Sequence, residues 1–227
     1  ELAERIGVRG LLVNCDDPQV MTWPQIVDLL CHSERTARVT RNTSETRIET
    51  AVNLDSTRGT SISTGIGFFD HMLEQVAKHG GFALELTCSG DLEVDEHHTV
   101  EDVGLVLGGA IGEALGERRG IRRYGFTLPM DETLARVVLD LGGRPFVVFD
   151  AEFARERVGE LPTELVEDFI RALAQTLGAN IHVKVDYGRN DHHRIEAIFK
   201  GLGRALRAAI ERDSRLEDRV PSTKGVL

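Results

Sequence analysis

Two short stretches of the chain share residue types and spacing: His97, His98, Thr99, Val100, Glu101 and, 95 positions later, His192, His193, Arg194, Ile195, Glu196. Imidazole and carboxylate are side chains that hold divalent metals and move protons near neutral pH. If each stretch opens a helix, the first His and the Glu stand at i and i+4 and the second His and the Glu at i and i+3. Three ligand atoms then crowd one helix end. The two imidazoles of a pair diverge by about 100°, so one pair can feed two different ions. Two copies supply four imidazoles and two carboxylates, nearly a complete dinuclear site. A lone HHxxE reads equally well as a solvated helix start, because short motifs recur by chance. Duplication shifts the balance toward chemistry.

The elements that must position these groups are repeated as well. Val100, Val103, Leu107 and Ile111 follow the first motif, and Ile195, Ile198, Leu202 and Leu206 the second, each set a helical stripe. The spacing predicts the same order upstream of both motifs, a hairpin, a helix and a strand, so the chain reads as two copies of one α/β unit. In the first copy Ile48, Thr50, Val52 and Leu54 alternate as a strand that turns through Asp55 to Gly59 and returns through Ser61 to Thr64, a hairpin. A helix over about Phe68–Lys78 carries His71, Glu74 and Gln75, with His79 as a cation at its C-terminal end. A strand at Phe82, Leu84 and Leu86, an acidic loop over 91–96 and the motif helix come next, the helix ending at Gly116–Gly120. The second copy runs through strands at Leu134–Leu141 and Phe146–Phe149 around a turn at Gly142–Arg144. A helix over about Pro162–Leu177 places Asp168 where the first copy has His71. The strand Ile181, Val183, Val185 then leads to a helix from His192 to near Arg212. His182 alternates away from the apolar face, as a plain strand residue does. The tail Pro221–Gly225 has a turn composition and reads as a frayed end.

Charge and composition exclude several classes. With 37 acidic against 27 basic residues the formal charge is −10, which argues against a nucleic-acid or membrane surface as main partner. Anionic ligands would need a local basic pocket. Three cysteines, Cys15, Cys31 and Cys88, are odd in number and lack CxxC spacing, so neither a disulfide framework nor a thiolate zinc site is indicated, and a reducing compartment fits. No apolar run reaches membrane length and none reads as a signal peptide. The opening Glu1 in place of Met fits a cut or processed chain. Residues 1–35 differ from the repeat, with a Trp23-Pro24 turn signal and a short apolar run from Ile26 to Leu30, and read as a linker or remnant. Asp16 and Asp17 before Pro18 read as a loop or helix cap.

RNTSET at 41–46, GFFDHML at 67–73, DEHHTVED at 95–102, LPMDE at 128–132, DHHRIEAIFK at 191–200 and the closing PSTKGVL together make the stretch from about Arg38 to Leu227 closely resemble the imidazoleglycerol-phosphate dehydratase family of histidine biosynthesis. The leading 35 residues resemble the end of a histidinol-phosphatase region that some bacteria fuse ahead of it. They lack the phosphatase motifs, and no phosphatase activity is expected of them. The resemblance implies one dehydratase domain over 36–227, with halves at about 36–120 and 121–227. It also implies an α+β fold of two duplicated α/β halves, like domain 2 of ribosomal protein S5, with sheets outside and helices packed between them. Two Mn²⁺ per active site are implied, His71, His98, Glu101 and His193 around one and His97, His192 and Glu196 around the other. The family often has a further histidine where this chain has Asp168, which as a carboxylate is a plausible Mn²⁺ ligand. The resemblance gives Glu45 an acid/base role, Asp131 a substrate contact, and Gln75, Arg123, Arg144, Lys200, Ser222 and Lys224 the substrate phosphate. It also implies a cytoplasmic homo-oligomer of 24 subunits with sites between subunits.

The reaction so implied removes water from imidazoleglycerol phosphate, giving imidazoleacetol phosphate. Its difficulty is a departing C–H proton with no carbonyl beside it. Two metal ions on the ring nitrogens would stabilise an imidazolate, which expels the neighbouring hydroxyl. Two other readings remain open from the residues alone. One is a dinuclear metal hydrolase acting on a phosphate ester, the other a metal-binding structural shell.

Overall fold

In the computed structural model of the protein the described residues are 22, 23, 26, 34–125, 129–213, 216, 219–225 and 227. By internal contacts the chain divides into Glu1–Glu34 and Arg35–Leu227. Asp16, Asp17, Cys15, Cys31 and the apolar run beyond Ile26 lie outside the described residues. The duplicated unit and both motifs belong to Arg35–Leu227.

The first half begins with β1 (Thr36–Asn42), β2 (Thr46–Asn53), β3 (Ser61–Ser63), α1 (Gly67–Gly80), β4 (Ala83–Gly90) and α2 (His97–Leu115). The second continues with β5 (Tyr124–Gly125), β6 (Pro129–Met130), β7 (Thr133–Asp140) and β8 (Phe146–Asp150). A small β9 (Arg157–Val158) and β10 (Leu161–Pro162) pair, α3 (Leu165–Leu177), β11 (Asn180–Tyr187) and α4 (Asp191–Ile210) complete it. The sheets run β1-β2-β4-β3 and β5-β7-β11-β8, with β6 also on β7. The central pairs β2–β4 and β7–β11 are antiparallel, while β3–β4 and β8–β11 are parallel. The expected repeat is present in the four-strand path of each sheet and in the helix order, while the second half adds β6 and the β9–β10 pair.

Both expected hairpins are corrected. The hairpin placed across Asp55–Gly59 is not formed: β2 pairs antiparallel with β1 across the turn at 43–45, and β3 lies parallel to β4 instead. The alternation of Ile48 and Val52, both buried, specifies a strand and its inward face but not its neighbour. Connection through α1 lets β3 run parallel, as crossovers do. In the second half β7 and β8 likewise are not neighbours, because β11 lies between them.

Each sheet turns one face to the helices, which lie between the sheets, and the helices of one half meet those of the other. α2 packs on α3 and α1 on α4, with α2 also against β1 and β2 and α4 against β7. Phe69 of α1 meets Phe169 of α3 edge-on at 5.4 Å, and Phe169 stacks on Phe199 of α4 at 5.2 Å, so aromatic rings tie the halves together. Close approach needs small residues. A Cβ on Gly203 of α4 would stand 2.7 Å from the Val76 carbonyl oxygen of α1, and Gly108, its counterpart 95 positions earlier on α2, faces the Leu173 carbonyl of α3 just as tightly. Among the described residues no helix is long and apolar enough to cross a membrane.

Candidate functional site

Both motifs sit in the first turn of their helices, as expected. The chain enters α2 with Asp95 Oδ1 accepting from the His97 amide at 2.8 Å, and α4 with Asn190 Oδ1 accepting from the His192 amide at 3.0 Å. Asn190 is the N-cap residue of α4, whereas Asp95 stands one residue before the N-cap of α2, Glu96. The rings of each pair stand 6.1 and 6.0 Å apart and nearly perpendicular, which is the divergence their helical spacing requires.

The first histidine of each pair meets the motif glutamate at i+4, with His97 Nε2 to Glu101 Oε2 and His192 Nε2 to Glu196 Oε2 both 3.7 Å. A third group joins from the opposite half. His71 Nε2 on α1 stands 3.8 Å from Glu196, and Asp168 Oδ2 on α3 stands 3.8 Å from His97 Nδ1. Two matched trios result, His71–His192–Glu196 and Asp168–His97–Glu101. This pairing differs from the ligand sets implied by the resemblance, because within one chain His71 joins Glu196 and His192 rather than Glu101. The cross-packing of α1 on α4 and α3 on α2 is the reason. The trios are unequal in charge and setting. Glu196 is nearly buried and bound by Lys200 Nζ at 2.9 Å, whereas Glu101 is half exposed. His192 also rests its ring on Phe68 at 5.0 Å.

The second histidine of each pair faces away from its trio. His98 Nδ1 lies 3.1 Å from Asp91, and its Nε2 lies 3.8 Å from Glu45 at the β1–β2 turn. His193 Nδ1 lies 2.7 Å from Glu132, and its Nε2 4.0 Å from Asp131 at the β6–β7 turn. These hydrogen bonds to Asp91 and Glu132 raise both histidines above the usual imidazole range. The bond from His193, with two backbone amides, holds the Glu132 carboxyl down at about 2. Sequence alone does not single out Asp91 or Glu132. They lie in the quoted motifs or the acidic loop, yet nothing in their spacing marks them as partners of histidines 7 and 61 positions away.

The residues assigned to a phosphate divide into two places. Arg123, Arg144, Ser222 and Lys224 line one cavity of about 780 Å³ together with Tyr124 and Arg219. Lys200 stands instead beside Glu196 and Met130, and Gln75 lies on α1 one turn beyond His71. Arg123 spans Asp140, with Nη2 3.0 Å from Oδ2, and the Pro221 carbonyl at 3.0 Å, which pins the tail to β7. Rather than fraying, the tail makes a turn in which Gly225 donates to the Ser222 carbonyl and the Lys224 amide to Ser222 Oγ. His79, expected as a helix-end cation, is held below the usual imidazole range by burial and by Lys200, Arg204 and Lys78. Burial pushes the Cys88 thiol up to about 11, so it is no thiolate ligand.

Carboxylate suits Mn²⁺ and imidazole suits first-row transition ions, so the mixed donor set fits a divalent ion of this row in kind. Among the described residues, however, no three His, Cys, Asp or Glu converge closely enough to close on a metal within one chain. Each trio is an open half-site, and His98 and His193 are further imidazoles presented outside it.

Fold and site together define a duplicated α+β protein with two matched imidazole–carboxylate half-sites at helix starts and a basic cavity at the far end of α4, where the Arg123 amide donates to the Ala209 carbonyl. A profile described as imidazoleglycerol-phosphate dehydratase matches residues 64–206. Histidine biosynthesis bifunctional protein HisB of Stenotrophomonas maltophilia is 53% identical over all of this chain and 63% of its own length. That of Spirosoma linguale is 51% identical over 92% of this chain and 54% of its own. The chain thus spans less than two thirds of these relatives. The imidazoleglycerol-phosphate dehydratase structure from Staphylococcus aureus superposes with a TM-score of 0.72 at 38% identity, covering 78% of this chain and 99% of that one. The one from Pyrococcus furiosus gives 0.73 at 37%, covering 83% and 100%. The chain belongs to the imidazoleglycerol-phosphate dehydratase family.

Proposed function

We propose that this chain dehydrates imidazoleglycerol phosphate to imidazoleacetol phosphate in histidine biosynthesis, as a carbon–oxygen lyase. The two trios of His, Glu and His or Asp carry the reading, since one imidazole substrate with two ring nitrogens can be met by two half-sites. His71, His97, His98, Glu101, Asp168, His192, His193 and Glu196 would together hold two Mn²⁺, each open trio being completed by groups from another copy of the chain. When bound, the two ions would grip the substrate ring and make its N–H more acidic.

The chain's own residues do the rest. Lys200 sets its ammonium 2.9 Å from the buried Glu196 carboxylate and balances its charge. Arg144, Ser222 and Lys224 offer a guanidinium, a hydroxyl and an amine to a phosphate, which accounts for a basic cavity on an acidic protein. Arg123 fixes the tail that carries two of these. Glu45, on the turn beside His98 Nε2, would take the carbon-bound proton and deliver one to the departing hydroxyl, with Asp131 on the matching turn as a substrate contact.

A homo-oligomer, 24 subunits in the resemblance, is supported by half-sites left open and by their partly exposed histidines His71, His97 and His192. Exposed Phe146, Val148 and Val138 on one sheet are apolar surface that another copy would cover. The reaction is placed in the cytoplasm, where reduced Cys88 fits.

The deciding experiment strips the purified chain with chelator, reloads Mn²⁺, counts bound metal and monitors ketone formation from imidazoleglycerol phosphate. Ketone formation with about two ions per chain supports the dehydratase. Release of inorganic phosphate without ketone would point to the hydrolase reading, and bound metal without any turnover to the structural shell.

A further inference from the structure

Both second histidines make the same hydrogen bond, but to acids at unrelated places in the repeat. His98 Nδ1 is met by Asp91, in the loop between β4 and α2. The matching loop before α4 is Gly188, Arg189, Asn190 and holds no acid. His193 Nδ1 is met instead by Glu132, from the β6–β7 turn. The matching turn of the first half, at 43–45, carries Glu45, which faces the Nε2 side of His98. Repeat geometry therefore did not dictate the bond. The same local requirement has been met twice by different parts of the chain.

We propose that Asp91 and Glu132 are positioning residues, each anchoring Nδ1 of its histidine so that Nε2 is the atom presented to a divalent metal ion. This rests on the metal-dependent dehydratase function proposed for the chain. A carboxylate oxygen at this distance only accepts, so Nδ1 carries the proton, and in the neutral ring Nε2 keeps the lone pair. The bond also stops ring rotation, which a partly exposed histidine in the first turn of a helix otherwise retains. Glu132 is itself fixed, because its Oε1 accepts from the amides of Arg189 and Asn190 at 3.1 and 3.0 Å and leaves Oε2 for His193. Asp91 is the cleaner case, with its side chain engaged by His98 alone among the described contacts. Carboxylates in this relation to a ligating histidine typically govern metal affinity rather than folding.

The test titrates Mn²⁺ into the metal-stripped full chain by calorimetry, for Asp91→Ala, Asp91→Asn, Glu132→Ala and Glu132→Gln, with His98→Ala and His193→Ala as references. Unfolding temperature of the stripped proteins is recorded alongside. The expected result is a loss of Mn²⁺ affinity of about 10–100-fold in each alanine variant. The amide variants, whose oxygen still accepts from Nδ1–H, should recover most of it, with the unfolding temperature of Asp91→Ala close to that of the parent. Unchanged affinity in Asp91→Ala and Glu132→Ala while the histidine references weaken would overturn the assignment and leave the dehydratase reading intact. A lowered unfolding temperature with undiminished affinity would make both acids structural. If the histidine references themselves bind Mn²⁺ normally, the metal reading fails and this assignment with it.

Discussion

At the scale of single residues, Glu45 and Asp168 are the two side chains whose chemistry decides most. Glu45 sits on a solvated turn, free of the trios, 3.8 Å from His98 Nε2. Replacing it with Gln removes a proton carrier and almost no volume. Glu45→Gln should lower turnover by about 10²–10⁴-fold with bound Mn²⁺ unaltered, and turnover close to the parent's would rule Glu45 out as the proton shuttle. Asp168 is a shorter arm than the histidine often found at its place. It nevertheless comes within 3.8 Å of His97 because α3 lies directly on α2. Asp168→Asn keeps that shape and removes the charge. We expect one of two bound Mn²⁺ to be lost on gel filtration, read by metal analysis; retention of both would show that Asp168 is not a ligand.

At the scale of elements, the site depends on how closely the helices of one half approach those of the other. Gly203 and Gly108 are where α4 meets α1 and α2 meets α3, and a methyl group at either meets a backbone carbonyl that cannot rotate away. Gly203→Ala should cost about 1–3 kcal/mol, seen as an earlier urea midpoint, and should also draw His71 away from Glu196, weakening Mn²⁺ binding in the same variant. A midpoint equal to the parent's would mean the helices can part without loss. The helices themselves are legible in the sequence, because Val103, Leu107, Ile198 and Leu202 repeat at helical spacing and are buried. The strand neighbours are not. Alternation at Ile48 and Val52 marks a strand with a correct inward face, but whether β3 returns beside β2 or crosses to β4 depends on α1 packing behind the sheet.

At the scale of the whole molecule, each trio stops at three groups and its histidines stay partly exposed, so metal and assembly should be coupled. Sedimentation of the purified chain should show a large homo-oligomer when loaded with Mn²⁺, and chelation should shift it toward smaller species. An assembly indifferent to chelation would separate the two. From the sequence by itself came the duplicated unit and the placement of both motifs at helix starts, set by local spacing, while the family was legible only through the resemblance that the motif residues carry. Tertiary structure alone decided which donors meet. His71 and Asp168 each serve the motif of the other half because α1 and α3 cross over to α4 and α2. Asp91 and Glu132 reach the same ring atom from loops with no common place in the repeat. Periodicity along a chain determines which way a side chain faces on its own element; only the packing of elements distant in sequence determines what it faces.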